Sequence, residues 1–223
     1  METRNYLQDI SEIKNMMNRS TRFMSISGLS GILAGVYALA ASAYAHYRLS
    51  TVPEYQNQSA LGEYITDFII AYNLLGDLLL TAFITLILAV ATGAIFTVRK
   101  AKKLNEDIWN PVSKRLLANF TVPLITGGLF CLVLLQYDIV GLVAPATLIF
   151  YGLALINASK FTVGDIKYLG LANVLIGLVA TQFVGYGLYF WALGFGVFHI
   201  IYGAIMYRKY DRPTPNPSQR AGN

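Results

Sequence analysis

The sequence predicts an all-α protein: a polytopic bundle of six transmembrane helices behind an amphipathic N-terminal cytoplasmic helix, with both termini cytoplasmic. Three observations carry this prediction. Of 223 residues, 55% are hydrophobic and only 13% are charged. Soluble globular proteins carry a charged share of about 25%, so most of this chain's surface is expected to meet lipid. Six apolar runs recur, near 23–47, 75–98, 116–136, 140–158, 166–184 and 187–207, each close to the ~20 residues that cross a ~30 Å hydrocarbon core. If those runs alternate in direction, every Lys and Arg of the 17 except Arg48 falls on one side, which the positive-inside rule makes cytoplasmic. The net charge of +5 therefore reads as topology and not as a nucleic-acid footprint.

The elements follow in order. Over residues 1–19, Tyr6, Ile10, Ile13 and Met17 share one helical face, opposite Gln8, Ser11, Glu12 and Asn15. That is an amphipathic helix. Its polar side mixes Asp9 and Glu12 with Lys14 and Arg19, which favours packing on the bundle or a second copy over binding to anionic lipid. The transmembrane domain is assigned to 20–209. In its first span Ser27, Gly31, Gly35, Ala38 and Ser42 form a stripe of small residues, flat enough for another helix backbone to approach closely. Beyond Arg48, the residues Glu63, Asp67, Asn73 and Asp77 lie within an arc of about 120° on a helix, so the second helix is expected either to project beyond the membrane or to bend onto its surface. Asn110-Pro111 has the form of an N-cap followed by proline at the first helical position. Pro123, with Gly127 and Gly128 a turn later, marks the span expected to kink or break. The tail 210–223 carries Pro213, Pro215 and Pro217 and reads as extended.

The pattern GLxxxLxGxxA occurs twice, at Gly28–Ala38 and Gly170–Ala180. It suggests a duplicated hairpin, with span five as the preferred neighbour of span one. The run RSTRFMSISGLSGILAG, ending at Gly35, resembles the opening of a family of short multi-spanning bacterial membrane proteins of uncharacterised activity. The resemblance covers one span. It implies a bacterial inner (plasma) membrane location and transfers no functional residue.

Candidate chemistry lies in the few polar residues at membrane depth, where an unsatisfied group is costly. Counted from the basic boundaries, Ser30, Pro123, Asn173 and His199 each lie roughly 9–14 Å into the cytoplasmic half. They are expected to form one polar layer, either a proton-accepting His199 with Asn173 beside a broken third helix, or interhelical hydrogen bonds between Asn173 and His199 that hold the bundle. A second group gathers at the outer face: His46, Glu63, Asp67, Asp77 and Asp138. It reads either as an acidic mouth that collects a cation, with His46 and an aspartate as metal donors, or as a solvated loop with a capping aspartate. No metal and no cofactor is assigned.

Several chemistries are excluded. The chain has no phosphate-binding glycine loop ending in Lys-Ser/Thr, no HExxH and no GxSxG turn. Cys131 is the one cysteine and cannot close an intramolecular disulfide. Without paired carboxylates or a Ser/Lys or Cys/His set at depth, the chain is expected not to be an enzyme. Two classes remain: a non-enzymatic membrane protein with a structural, regulatory or partner-binding role, or a small transporter or channel for a cation or polar solute. The expected partners are the lipid bilayer, a second copy in a homo-oligomer and a cytoplasmic protein, and not nucleic acid.

Overall fold

The computed structural model describes residues 27–51, 61–103 and 107–211, with the backbone alone over 61–72. The expected helix within 1–19, the tail beyond residue 211 and the side chains of Glu63 and Asp67 lie outside the described residues. The described residues form six helices: α1 (Gly28–Ser50), α2 (Leu61–Lys103), α3 (Pro111–Gln136), α4 (Val143–Ala158), α5 (Ile166–Ala180) and α6 (Gly187–Asp211). The described residues contain no strand. All but α5 belong to segments long and apolar enough to cross a membrane. The 15 residues of α5 rise about 22 Å, less than the run at 166–184 suggested. Thr181 to Phe183 leave the helix in tight turns, and Gly185 reverses the chain at φ +97°, a left-handed conformation that glycine adopts without steric cost.

Local chemistry sets the other helix ends. Asn110 caps α3 by accepting a 2.8 Å hydrogen bond from the Ser113 amide, with Pro111 at the first helical position, as its spacing predicts. At the far end Asp138 takes φ 56° and the Ile139 amide returns to the Leu134 carbonyl at 2.8 Å. Asp138 thus closes a helix in a left-handed turn that Asp tolerates better than most side chains.

The expected break at Pro123 does not occur: α3 runs through it. Proline lacks the amide that would bond to the carbonyl four residues back. That carbonyl belongs to Asn119, and Asn157 of α4 donates its Nδ2 to it at 2.9 Å. A neighbouring side chain replaces the missing backbone donor, so the helix continues.

The helices form a sequential ring with one seam missing. α1 packs on α2, α3 on α4, α4 on α5 and α6 on α1, while α6 also contacts α4 and α5. Among the described residues, α2 and α3 form no comparable packing seam. The small-residue stripe of α1 docks, but on α6 and not on α5 as the repeated pattern suggested. A Cβ added at Gly203 would come within 2.6 Å of the Ile32 amide nitrogen and 2.7 Å of the Gly28 carbonyl, and one at Gly35 within 2.6 Å of the Gly196 carbonyl. Gly31 faces the Gly203 Cα, Ala38 is buried, and buried Ser42 turns its hydroxyl to the Ala38 carbonyl at 2.8 Å. The matching glycines of α5 are used on α4. A Cβ on Gly152 would lie 2.5 Å from the Gly170 carbonyl.

Charged groups lock both ends of this ring. Asp211, at the C-terminus of α6, accepts from the Ser27 hydroxyl at 3.0 Å, the Gly28 amide at 2.8 Å and Lys100 Nζ at 2.7 Å. It provides the N-cap that the Ser27 side chain does not supply, and it ties α1, α2 and α6 together. At the other end Arg48 pairs with Asp77, joining α1 to α2.

Candidate functional site

The missing seam leaves a cavity of about 500 Å³ inside the ring, within the ~300–1,000 Å³ range of small-molecule sites. One face of α2 turns toward it through Ala82, Thr85, Ala89 and Gly93, and α3 contributes Gly127 and Gly128. Small side chains on both flanks are what keep the space open. A Cβ on Gly93 or Gly128 would meet nothing within 4 Å. Among the described residues, no Asp, Glu, Lys or Arg lines it.

On the wall formed by α6 and α4, Trp191, Phe195 and His199 follow one another at four-residue spacing, a helical row that meets Tyr151. Tyr151 Oη lies 2.7 Å from His199 Nε2, and His199 Nδ1 lies 2.9 Å from the Gly194 carbonyl. A carbonyl only accepts, so Nδ1 carries the proton. In the neutral ring Nε2 then accepts, and the Tyr151 hydroxyl donates to it. The backbone makes this possible. Residues Ala192–Val197 form a π-helical turn in which the Phe198 amide reaches back to the Leu193 carbonyl, and such widened turns present backbone groups that a regular helix would hide. Aromatic rings fix the dyad in place: Phe195 stacks on His199 at 5.9 Å and 20°, and lies 4.9 Å from both Tyr151 and Trp191.

The expected polar layer assembles only in part. Ser30 lines the cavity with His199, but its hydroxyl is engaged with the Ser27 carbonyl at 2.7 Å. Asn173 is fully buried, and a Cβ on Gly194 would meet its Oδ1 at 2.7 Å. Its Nδ2 donates to the Leu169 carbonyl of its own helix at 2.9 Å. Its Oδ1 has no hydrogen-bond donor among the described residues. The partner of His199 is therefore Tyr151 and not Asn173: a 2.7 Å bond to a hydroxyl on α4 occupies Nε2. Pro123 lies outside the layer. It lines a separate shallow groove between α3 and α4 with Thr126, Phe150 and Asn157.

At the outer end, His46 is exposed with its ring 5.9 Å from that of Tyr189. Asp77 is taken by Arg48, and Asp138 sits at the end of α3. None of these three lines the cavity.

Comparison with protein-family models, curated proteins and solved structures finds no match. The site's chemistry is that of a hydrogen-bonded Tyr-His dyad set in an uncharged, largely aromatic and small-residue wall. Sequence reasoning reached His199 and Ser30 but missed Tyr151 and the α2 face. One signal pointed to the α2 face, the stripe of Ala82, Thr85, Ala89 and Gly93 at spacings of three, four and four; none pointed to Tyr151.

Proposed function

We propose that this chain is a six-span membrane protein with both termini cytoplasmic, acting without a chemical step of its own, and that it holds an apolar guest inside its helical ring. The cavity carries this reading: about 500 Å³, free of charged side chains, and flanked by the two helices that do not close on each other. Exposed Leu80, Phe83 and Ile87 on α2 and Leu129 and Leu132 on α3 suit lipid on either side of that gap. The six-span topology is supported by the basic residues Arg99, Lys100, Lys114, Arg115, Arg208 and Lys209 at helix ends opposite Arg48. A binding role is favoured over catalysis because Tyr151 occupies Nε2 of His199, the Ser30 hydroxyl is engaged with the Ser27 carbonyl, and no carboxylate is among the described residues of the lining. It is favoured over cation conduction because His46, Asp77 and Asp138 do not border the cavity.

The test is purification of the full chain from native membranes followed by mass spectrometry of co-purifying molecules. Wild type is expected to carry a guest that Gly128→Leu loses, since Gly128 borders the cavity and a larger side chain there meets nothing within 4 Å of its Cβ. Equal recovery from both proteins would overturn the assignment of the cavity.

A further inference from the structure

We infer that the guest is an uncharged single-chain amphiphile, a long-chain alcohol or its isoprenoid equivalent, admitted sideways from the bilayer between α2 and α3. This inference rests on the guest-holding reading above and adds the chemical class and the route.

Charge decides the class. Among the described residues, none of the side chains lining the cavity is ionisable to a full charge near neutral pH apart from His199, and both ring nitrogens of His199 are occupied by Tyr151 and the Gly194 carbonyl. A carboxylate, phosphate or ammonium head entering this space would find no counter-ion. Transferring such a charge to an apolar membrane interior costs about 2.5–3.5 kcal/mol even on the most lenient scales, or roughly 60- to 300-fold in affinity. A hydroxyl carries no such cost. The Tyr151 oxygen spends its proton on His199 and keeps lone pairs, so the polar wall offers an acceptor for one hydroxyl.

Depth agrees with this. His199 lies nine residues before Arg208, about 13 Å along the helix. Charged lipid heads stay at the basic boundary, whereas an alcohol can follow its chain inward.

The route follows from the ring. The other consecutive helices are packed together, and α6 closes on α1 through glycine contacts. Among the described residues, only the α2–α3 gap, edged by Ala89, Gly93 and Gly128, offers a side entrance that does not require two helices to part.

Trp191 lines the cavity and Trp109 is exposed, so Trp109→Phe leaves a single fluorescent reporter in the site. The full chain carrying this change, in nanodiscs of zwitterionic lipid, is titrated with hexadecanol, palmitate at pH 8 and hexadecyltrimethylammonium. Hexadecanol is expected to shift Trp191 emission saturably, with the two charged probes weaker by roughly 60-fold or more. Adding Gly93→Leu, which narrows the entrance and fills the space, is expected to abolish the hexadecanol response. Palmitate or the ammonium binding as tightly as hexadecanol would overturn the class while leaving the guest-holding reading intact. An unchanged response in Gly93→Leu would overturn the route. No saturable response to any probe would overturn the guest-holding reading itself.

Discussion

One of the close backbone contacts that build the ring is also direct to perturb. Gly203→Ala places a Cβ 2.6 Å from the Ile32 amide nitrogen and 2.7 Å from the Gly28 carbonyl oxygen. Both are backbone atoms, so no rotamer change relieves the overlap. Reaching the 3.4 Å of ordinary contact requires α1 and α6 to part by about 0.8 Å. A gap of that size forfeits roughly a quarter to a half of the dispersion energy across the contact. Overpacking of this kind costs about 1–3 kcal/mol, and the gain from replacing a helical Gly by Ala offsets about 0.5–1 kcal/mol. The net expectation is a loss of about 1 kcal/mol, which for a chain of this size lowers Tm by roughly 2–4 °C. The assay is thermal unfolding of the purified full chain in bicelles, followed by circular dichroism. Gly76→Ala is the control: a Cβ there meets nothing within 4 Å, so it should be neutral or slightly stabilising. If Gly203→Ala unfolds at or above the wild-type temperature while the control behaves as stated, the reasoning from close glycine approach between α1 and α6 is wrong.

Three further outcomes follow from the polar contacts. Asp211→Ala removes a cap from α1 and leaves Lys100 without the carboxylate it pairs with at 2.7 Å, both side chains being mostly buried. It should cost about 3 kcal/mol in the same unfolding assay, with Asp211→Asn intermediate. Asn157→Ala orphans the Asn119 carbonyl and should cost about 1 kcal/mol in wild type. It should cost much less in a Pro123→Ala background, where the restored amide bonds to that carbonyl, and equal losses in the two backgrounds would refute the substitution of one donor for the other. The hydrogen bond from Lys209 holds the Asp165 carboxyl below the usual carboxylate range, against a smaller opposing effect of burial. A depressed folded value contributes stability above the unfolded pKa of about 3.9, and that contribution is lost as pH falls through the folded value. Wild type should therefore lose stability on acidification below about pH 4 more steeply than Asp165→Asn. Parallel curves would exclude this pair as a source of the acid sensitivity.

Much of the fold was legible because membrane helices are written in composition and length. The apolar runs locate α1, α3, α4 and α6 to within about five residues, since a stretch that cannot be hydrated has few alternatives to a helix in lipid, whereas α2 begins 14 residues before its run at 75–98. Asn110-Pro111 marked the start of α3 because capping is a local interaction between residues three apart. The site was legible only in fragments. His199 stood out as a rare polar residue among apolar ones, but its partner Tyr151 is one of 15 tyrosines, and nothing in the sequence distinguishes it from the others.

The amino-acid sequence by itself determined which segments are helical, where most of them end, and that the basic residues gather between the same alternate runs. Tertiary structure alone decided which faces meet. The GLxxxLxGxxA pattern states that α1 and α5 can each receive a close neighbour, yet it is silent on which one. The choice of α6 for α1 and α4 for α5 depends on whether glycines on two distant segments come into register, and on Asp211 reaching the N-terminus of α1. Pro123 shows the same limit, because whether a missing amide breaks a helix depends on a donor 38 positions away in the chain. The cavity belongs wholly to this second class. It exists because α2 and α3, adjacent in sequence, do not pack together, and an absent contact leaves no mark on the residues that would have made it.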